Sequence, residues 1–322
     1  MNSGKNKMII ASCPLRVSLL GGSTDLEDFI SEYGYGQVIS FPVNLYTYVS
    51  INKRYDGRFL IQYSKTESVT KISDIKNDLV RTVLEHFNID THITVALNVD
   101  IPSHGSGLAS SSSFIISMIK AISVFKELEL SDYDICELAL KLERKFNPLV
   151  GRQDSLGCGL KGFKHLYFSS SQKLKITPFS NSYFKNFNLY LIPISNNGRK
   201  STSILKSLNL KERKLICDKV EKGIKVLNEN IFNDFNNLIL DSWEQKKKTS
   251  SLILTPNIVK LENKIKNTKS LLHYKLCGAG GGGYLLLISK KSNDISKLGL
   301  LEKNSYIKIN IDNKGIKTWK LT

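Results

Sequence analysis

Residues 102–113 read Pro-Ser-His-Gly-Ser-Gly-Leu-Ala-Ser-Ser-Ser-Ser and lead directly into a strongly apolar segment. That junction constrains the chain more than any other. Glycines let backbone N–H groups approach an anion closely. The helix that the apolar spacing predicts over 111–125 adds unpaired donors and the positive end of a dipole at its first turn. Serine hydroxyls there can reach phosphate oxygens or a magnesium ion. The segment is not a Walker loop, because no Gly-Lys-Ser or Gly-Lys-Thr follows, and its surroundings are not those of a Rossmann unit. A serine N-cap beside a flexible linker is the bland alternative, and the density of Gly and Ser speaks against it.

Three further segments carry chemistry. Residues 278–283 hold five glycines in six positions, between predicted strands over 273–277 and 284–288. Close approach to a ligand or another loop would account for that entropic cost, although a plain turn is also possible. Glu143 lies near the end of a predicted helix, and Asp154 follows a turn containing Pro and Gly. Two carboxylates so placed could hold magnesium and accept a proton; a solvated helix glutamate paired with Arg144 or Lys145 is the other reading. Arg16 starts an apolar strand that ends in Gly21, Gly22, Ser23, Thr24 and Asp25. That turn could grip sugar hydroxyls, while Arg16 could equally serve a strand-end salt bridge.

Around these segments the pattern mixes strands and helices without a regular βαβα rhythm, which argues for an α+β fold. Residues 8–20 read as strand, proline interruption, strand. Residues 36–63 alternate, with Asp56 and Gly57 as a hairpin turn. Helices are predicted over 74–87 and 131–146, the latter with Ser131 and Asp134 as a capping box. Strands are predicted over 92–99, 163–168 and 187–194, and helices over 201–230, 231–249 and 256–267. The polar stretch 169–182 is the expected domain boundary.

The chain has 322 residues, 41% hydrophobic and 23% charged, so it is globular rather than disordered. Its formal net charge is +17. Lysine is spread over the whole length, and only Lys246, Lys247 and Lys248 form a tight run, with no aromatic platform beside it. A nucleic-acid partner is therefore not expected, while the positive field suits a polyanionic ligand. Five cysteines without a Cys-x-x-Cys pair argue against a disulfide framework or structural zinc and fit a reducing cytoplasm. No apolar run approaches the ~20 residues of a membrane span, and no signal peptide is expected. The five histidines are scattered, without metal-ligand spacing.

Taken together and in this order, the four segments resemble the GHMP kinases, the superfamily of galactokinase, homoserine kinase and the mevalonate kinases. PLRVSLLGGSTD (14–25), PSHGSGLASSSS (102–113) and CGAGGGG (277–283) are similar to its three motifs. In the mevalonate-kinase type, a magnesium-binding glutamate precedes the catalytic aspartate by eleven residues with Asn-Pro between. Glu143 and Asp154 have that separation, around Asn147 and Pro148. Within the superfamily the chain is most similar to the bacterial D-glycero-D-manno-heptose 7-phosphate kinases. GRQDSLGCGLKG (151–162), SWEQKK (242–247) and the ending GIKTWKL carry that likeness, which spans essentially the whole chain. Ser23 and Ala109 stand where Gly is usual, and Ser155 where Gln is common.

The resemblance implies a two-domain GHMP kinase fold with ATP and substrate in the cleft between the domains. Residues 1–178 would form the N-terminal domain, and 179–322 a ferredoxin-like C-terminal domain carrying the Gly-rich loop. ATP phosphates would lie over Gly105, Ser106, Gly107, Leu108, Ala109, Ser110, Ser111 and Ser112, with Mg²⁺ on Ser111 and Glu143. Asp154 would accept the proton of the acceptor hydroxyl, oriented by Arg16. Gly22, Ser23, Thr24 and Asp25 would bind the sugar, Gly280 and Gly281 would close over it, and Arg199 and Lys247 would take a distal phosphate. The implied reaction phosphorylates the anomeric hydroxyl of a heptose 7-phosphate, in a monomer or homodimer. A kinase of a free fucose- or galactose-like sugar, a diphosphomevalonate decarboxylase and a non-catalytic ATP-binding sensor are the alternatives; the sensor should lack Asp154 or Glu143.

Overall fold

Long apolar strands build the first layer. β1 (Met8–Leu20) and β2 (Tyr35–Lys53) pair antiparallel from Ile9 opposite Ile51 to Leu20 opposite Ile39. Pro14 does not interrupt β1. A register shift between Pro14 and Leu15 absorbs the missing N–H donor, as a bulge does. The computed structural model describes residues 8–102, 105–171, 173–195, 201–268, 272–293, 295 and 305–321.

Beyond β2 the pairing departs from the hairpin that Asp56 and Gly57 suggest. Gly57 makes a turn with φ +70°, but β5 (Ile93–Val99) lies between β2 and β3 (Phe59–Gln62), antiparallel to the first and parallel to the second. Turn chemistry is local, whereas pairing follows burial, and Ile93 and Val95 are the buried residues that claim the central place. β4 (Thr66–Val69) covers β3, and β6 (Lys164–Ser169) pairs with the other half of β2. β7 (Leu174–Pro178) pairs with β6, so the polar stretch expected as a boundary contains a strand of this sheet. A second antiparallel sheet runs in the order Ile307–Ile309, Phe187–Ile194, Gly283–Lys290, His273–Leu276; in chain order these are β11, β8, β10 and β9. The last strand, β12 (Lys317–Leu321), returns to the first sheet and pairs with β1, although 179–322 is expected to be one unit.

Helices fill both sides. α1 (Glu27–Tyr33) follows the β1 turn, and α2 (Asp78–His86) starts later than expected because Asn77 caps it by accepting from the Val80 N–H at 3.1 Å. α3 (Ser110–Phe125) is buried on nearly every face against β1 and β2. Its serines are satisfied there: Ser113 Oγ donates to the Cys13 carbonyl at 2.9 Å, and Thr47 Oγ1 lies 2.8 and 3.0 Å from Ser113 and Ser117 Oγ. Ser131 caps α4 (Asp132–Glu143), but Asp134 takes the Ser131 hydroxyl rather than its backbone N–H, so only half of the capping box forms. α5 (Arg152–Gly159) follows, then α6 (Ser182–Asn186), α7 (Ser201–Lys206), α8 (Leu210–Asn228), α9 (Phe232–Thr249) and α10 (Pro256–Lys266).

One apolar cluster joins the sheets: Leu15, Val17 and Phe41 meet Leu189, Leu191 and Leu286. Alternate residues of β8 and β10, Tyr190, Ile192, Leu285 and Leu287, face the opposite way onto Trp243 and Ile258. The two sheets therefore pack directly on each other. All five cysteines are free and buried. Among the described residues, no helix is long and apolar enough to cross a membrane.

Candidate active site

A cavity of about 450 Å³ opens between the layers, lined by β1 and its turn, the 105–112 loop, the ends of α4 and α5, and α7 to α9. Its floor is the loop that leads into α3. Ala109, just before α3, is in the left-handed region at φ 59°, and the Leu108 carbonyl accepts from the Arg16 N–H at 3.0 Å. This tight entry leaves the first N–H groups of α3 directed at the cavity end of the helix. The glycines permit an unusual closeness. A Cβ on Gly107 would fall 2.4 Å from the Cys277 carbonyl oxygen, and one on Gly278 would fall 2.3 Å from Gly107 Cα. The second glycine run is thus a hairpin loop clamped backbone-to-backbone on the first, closed by Cys277 N–H to Tyr284 O at 2.8 Å.

The carboxylates come from α4 and α5. Glu143 is the last residue of α4, buried, and accepts the Ser112 hydroxyl at 2.5 Å. Burial pushes its carboxyl up to about 7, with the Ser112 and Ser111 hydroxyls opposing and the Asp154 charge adding to the rise. Asp154 follows the Pro- and Gly-containing turn and sits in the first turn of α5, because Gly151 begins a new helix just beyond the Pro148 break. Arg16 Nη2 and Nε donate to the same oxygen, Asp154 Oδ1, at 2.7 and 3.2 Å, while Nη1 donates to the Gly107 carbonyl at 2.7 Å. Arg16 is 5% exposed and Asp154 24%, so a water-poor guanidinium steadies a carboxylate that still reaches the cavity.

Residues 75–162 match the model of the GHMP kinases N-terminal domain, a span that includes the loop, Glu143 and Asp154. The chain carries a GHMP kinase N-terminal domain. Over 345 aligned residues it is 25% identical to the D-glycero-alpha-D-manno-heptose 7-phosphate kinase of Campylobacter jejuni, covering 98% of this chain and all of the relative. The fold matches a D-glycero-D-manno-heptose 1-phosphate kinase of Bacteroides thetaiotaomicron, with TM-score 0.77 and 20% identity over 98% of this chain and 99% of the other. It also matches the mevalonate kinase of Methanococcus jannaschii, with TM-score 0.71 and 20% identity over 97% and 100%. The whole chain thus has the α+β fold of the GHMP kinases.

Not every residue expected at the GHMP site faces the cavity. Gly22 and Ser23 line it, as do Ser111 and the rest of 105–112 except Leu108. Thr24 is fully buried behind them, donating to the Gly21 and Gln37 carbonyls at 2.8 and 2.9 Å. Asp25 is buried too, accepting from Gln153 N–H at 2.9 Å and Nε2 at 2.6 Å. It caps α5 from outside and so positions Asp154; a Cβ on Gly151 would strike its carboxylate. Burial, with Asp154 nearby, pushes the Asp25 carboxyl up to about 6. Gly280 and Gly281 pack on Ile253 instead of the cavity, Gly281 N–H reaching its carbonyl at 2.9 Å. Lys247 is engaged by Glu244 at 2.7 Å and Glu262 at 3.4 Å. Arg199 lies outside the described residues.

Two cations that the sequence reading passed over do line the cavity, Lys246 on α9 and Lys275 on β9. Arg213 on α8 is another unforeseen tie, donating to the Ser23 carbonyl and to Asp28, each at 2.6 Å, which holds the β1 turn.

For a metal, the donor chemistry is informative. Among the described residues no group of three or more His, Cys, Asp or Glu converges. Glu143 beside the Ser111 hydroxyl is instead a small oxygen set, which fits the way Mg²⁺ is held by one or two carboxylates together with substrate phosphates.

Proposed function

We propose that this chain is an ATP-dependent kinase that phosphorylates the anomeric hydroxyl of D-glycero-D-manno-heptose 7-phosphate, giving the 1,7-bisphosphate. The observation that carries the reading is Asp154, fixed by Arg16 and opening on the same cavity as the 105–112 loop. The full-length likeness to the C. jejuni enzyme supports the choice of acceptor.

In this reading the N–H groups at the start of α3 and the 105–112 backbone hold the ATP phosphates. Glu143 and Ser111 hold Mg²⁺, which offsets phosphate charge when bound. Both Arg16 contacts fall on Asp154 Oδ1, leaving Oδ2 to take the proton of the acceptor hydroxyl. The hydroxyl oxygen bonds to the γ-phosphorus as the bond to ADP breaks. Arg16 keeps Asp154 aligned, because separating the pair would leave the buried Arg16 charge uncompensated. The five buried, free cysteines are compatible with a reducing cytoplasm.

The test is ADP release with Mg-ATP across heptose 7-phosphate, mannose, mannose 6-phosphate, fucose, galactose and mevalonate. Turnover restricted to the heptose phosphate is the expected result. Turnover only with a free sugar or with mevalonate overturns the assigned acceptor, and no turnover with any overturns the reading as a whole.

A further inference from the structure

The mechanism above leaves Lys246 and Lys275 without a task, and their setting is costly. Lys275 is buried and Lys246 half-buried, and both line the cavity. Lys275 Nζ donates to the Ser18 and Leu19 carbonyls, each at 2.8 Å, and Lys246 Nζ donates to the Gly278 carbonyl. An ammonium has three donors, so one remains on Lys275 and two on Lys246. Among the described residues neither forms a salt bridge with a carboxylate, although Arg144, Arg152, Arg213 and Lys247 all do. The guanidinium of Arg16, whose own carboxylate partner is Asp154, adds a further positive charge nearby. Unpaired buried charge of one sign is tolerated where a ligand supplies the other.

Ser18 adds a polar, neutral group. It is 9% exposed, lines the cavity and has no hydrogen-bond partner for Oγ among the described residues. Its hydroxyl stands 3.4 Å from where a Gly22 Cβ would be, next to the Gly22 and Ser23 turn. We propose that Lys275, Lys246 and Ser18 form an anion subsite for the phosphate group that the acceptor already carries. This rests on the kinase reading above and deepens it, since it makes the chain select phosphorylated over free sugars. Arg16 remains the partner of Asp154, and the 105–112 loop remains the seat of the nucleotide. Lys246 reaches toward that loop through Gly278, so the nucleotide phosphates are the rival source of the same anion.

Burial, then repulsion from Lys246, lowers the Lys275 ammonium to about 7, with Cys277 opposing and Arg16 adding to the fall. Burial lowers Lys246 to about 8, again with Cys277 opposing and Arg16 adding. A bound phosphate dianion would restore the protons, so binding at pH 8 takes protons from the buffer.

The experiment compares wild type with Lys275→Met and Lys246→Gln by steady-state kinetics and calorimetry. The expected result is a KM for heptose 7-phosphate raised about ten- to a hundredfold in Lys275→Met, with the KM for Mg-ATP unchanged. An equal rise for Mg-ATP, or no rise for the acceptor, overturns the proposal. If wild type fails to turn over the heptose phosphate, the assigned acceptor falls but the subsite is still tested with mannose 6-phosphate against mannose as binding probes. Preference for the phosphate in wild type and its loss in the variants uphold the subsite; equal binding of both probes sinks it. Should Lys275→Met not fold, Lys246→Gln and proton uptake by wild type decide. Sugar-phosphate binding whose heat is independent of buffer ionisation enthalpy at pH 8 counts against the assignment.

Discussion

The cavity has two walls that meet negative charge in different ways. The 105–112 loop and the start of α3 offer backbone N–H groups, hydroxyls and one carboxylate, with two glycine runs pressed together so closely that a methyl group has no room. The wall beside Gly22 offers the Lys275 ammonium, which lies 257 residues along the chain from the Ser18 carbonyl it bonds, while Lys246 of α9 stands between the two walls on the Gly278 carbonyl. The N–H groups of a backbone wall are rigid and do not titrate, and such a wall fails when atoms are added. A side-chain wall is tunable by pH and fails when charge is removed. The first suits a nucleotide phosphate that every turnover shares, the second an acceptor group that must be told apart from others.

The contrast can be broken from either side. The largest effect is expected at the junction of the walls: Asp154→Asn should lower kcat about 10²–10⁴-fold while Mg-ADP binding, followed by calorimetry, stays near wild type. Near-normal kcat would remove Asp154 from the role of base. Glu143→Ala should raise the Mg²⁺ concentration for half-maximal rate by about tenfold or more, and an unchanged Mg²⁺ titration would free Glu143 from that role. Gly107→Ala tests the packing of the backbone wall. Its Cβ would collide with the Cys277 carbonyl at a residue with φ +74°, so a loss of about 1–3 kcal/mol in denaturant unfolding and weaker ATP binding are expected.

The side-chain wall should answer to pH instead. Lys275 is lowered from 10.5 to about 7 in the folded state. The unfolded chain then binds the extra proton between those values, so stability should rise with pH across that window, by at most about 1.4 kcal/mol per pH unit. Lys275→Met should flatten that slope in urea melts, and a slope unchanged by the substitution would contradict the assignment. The smallest effect belongs to the loop itself. Ala109 holds φ 59° and Ser23 φ 74°, conformations that Gly adopts without strain. Ala109→Gly should therefore stabilise by about 1 kcal/mol or less in thermal unfolding.

The same contrast explains what could be read before the fold was seen. The 105–112 loop, Glu143 and Asp154 lie in short contiguous stretches whose spacing states their geometry. Thr24 and Asp25 belong to such a stretch too, yet they point inward, because residue type alone does not give direction. Lys246 and Lys247 differ by one position, which on a helix turns a side chain by about 100°. Ile239, Ser242 and Trp243 mark the buried face of α9, and their three- and four-residue spacing reaches both Lys246 and Lys247, so periodicity alone does not separate them. What does is the partner each finds: Lys247 lies over Trp243 and pairs with Glu244 and Glu262, whereas Lys246 bonds the Gly278 carbonyl. Lys275 carried a weak signal, sharing a strand face with His273 and Cys277 while Tyr274 and Leu276 face away. Nothing local announced that β5 would separate β2 from β3, since that depends on which strand has the most apolar surface to bury.

The position of β12 has a consequence for how the molecule is made. Residues 317–321 leave the ribosome after every strand of the second sheet, yet they complete β1 along residues 8–12, the strand that goes on to Arg16. A nascent chain halted partway through the second sheet would carry the phosphate loop and both carboxylates beside a β1 edge whose N–H and C=O groups are still unpaired. The two halves are thus not beads that mature one after the other, because β1 waits for β12 before its edge along residues 8–12 is paired.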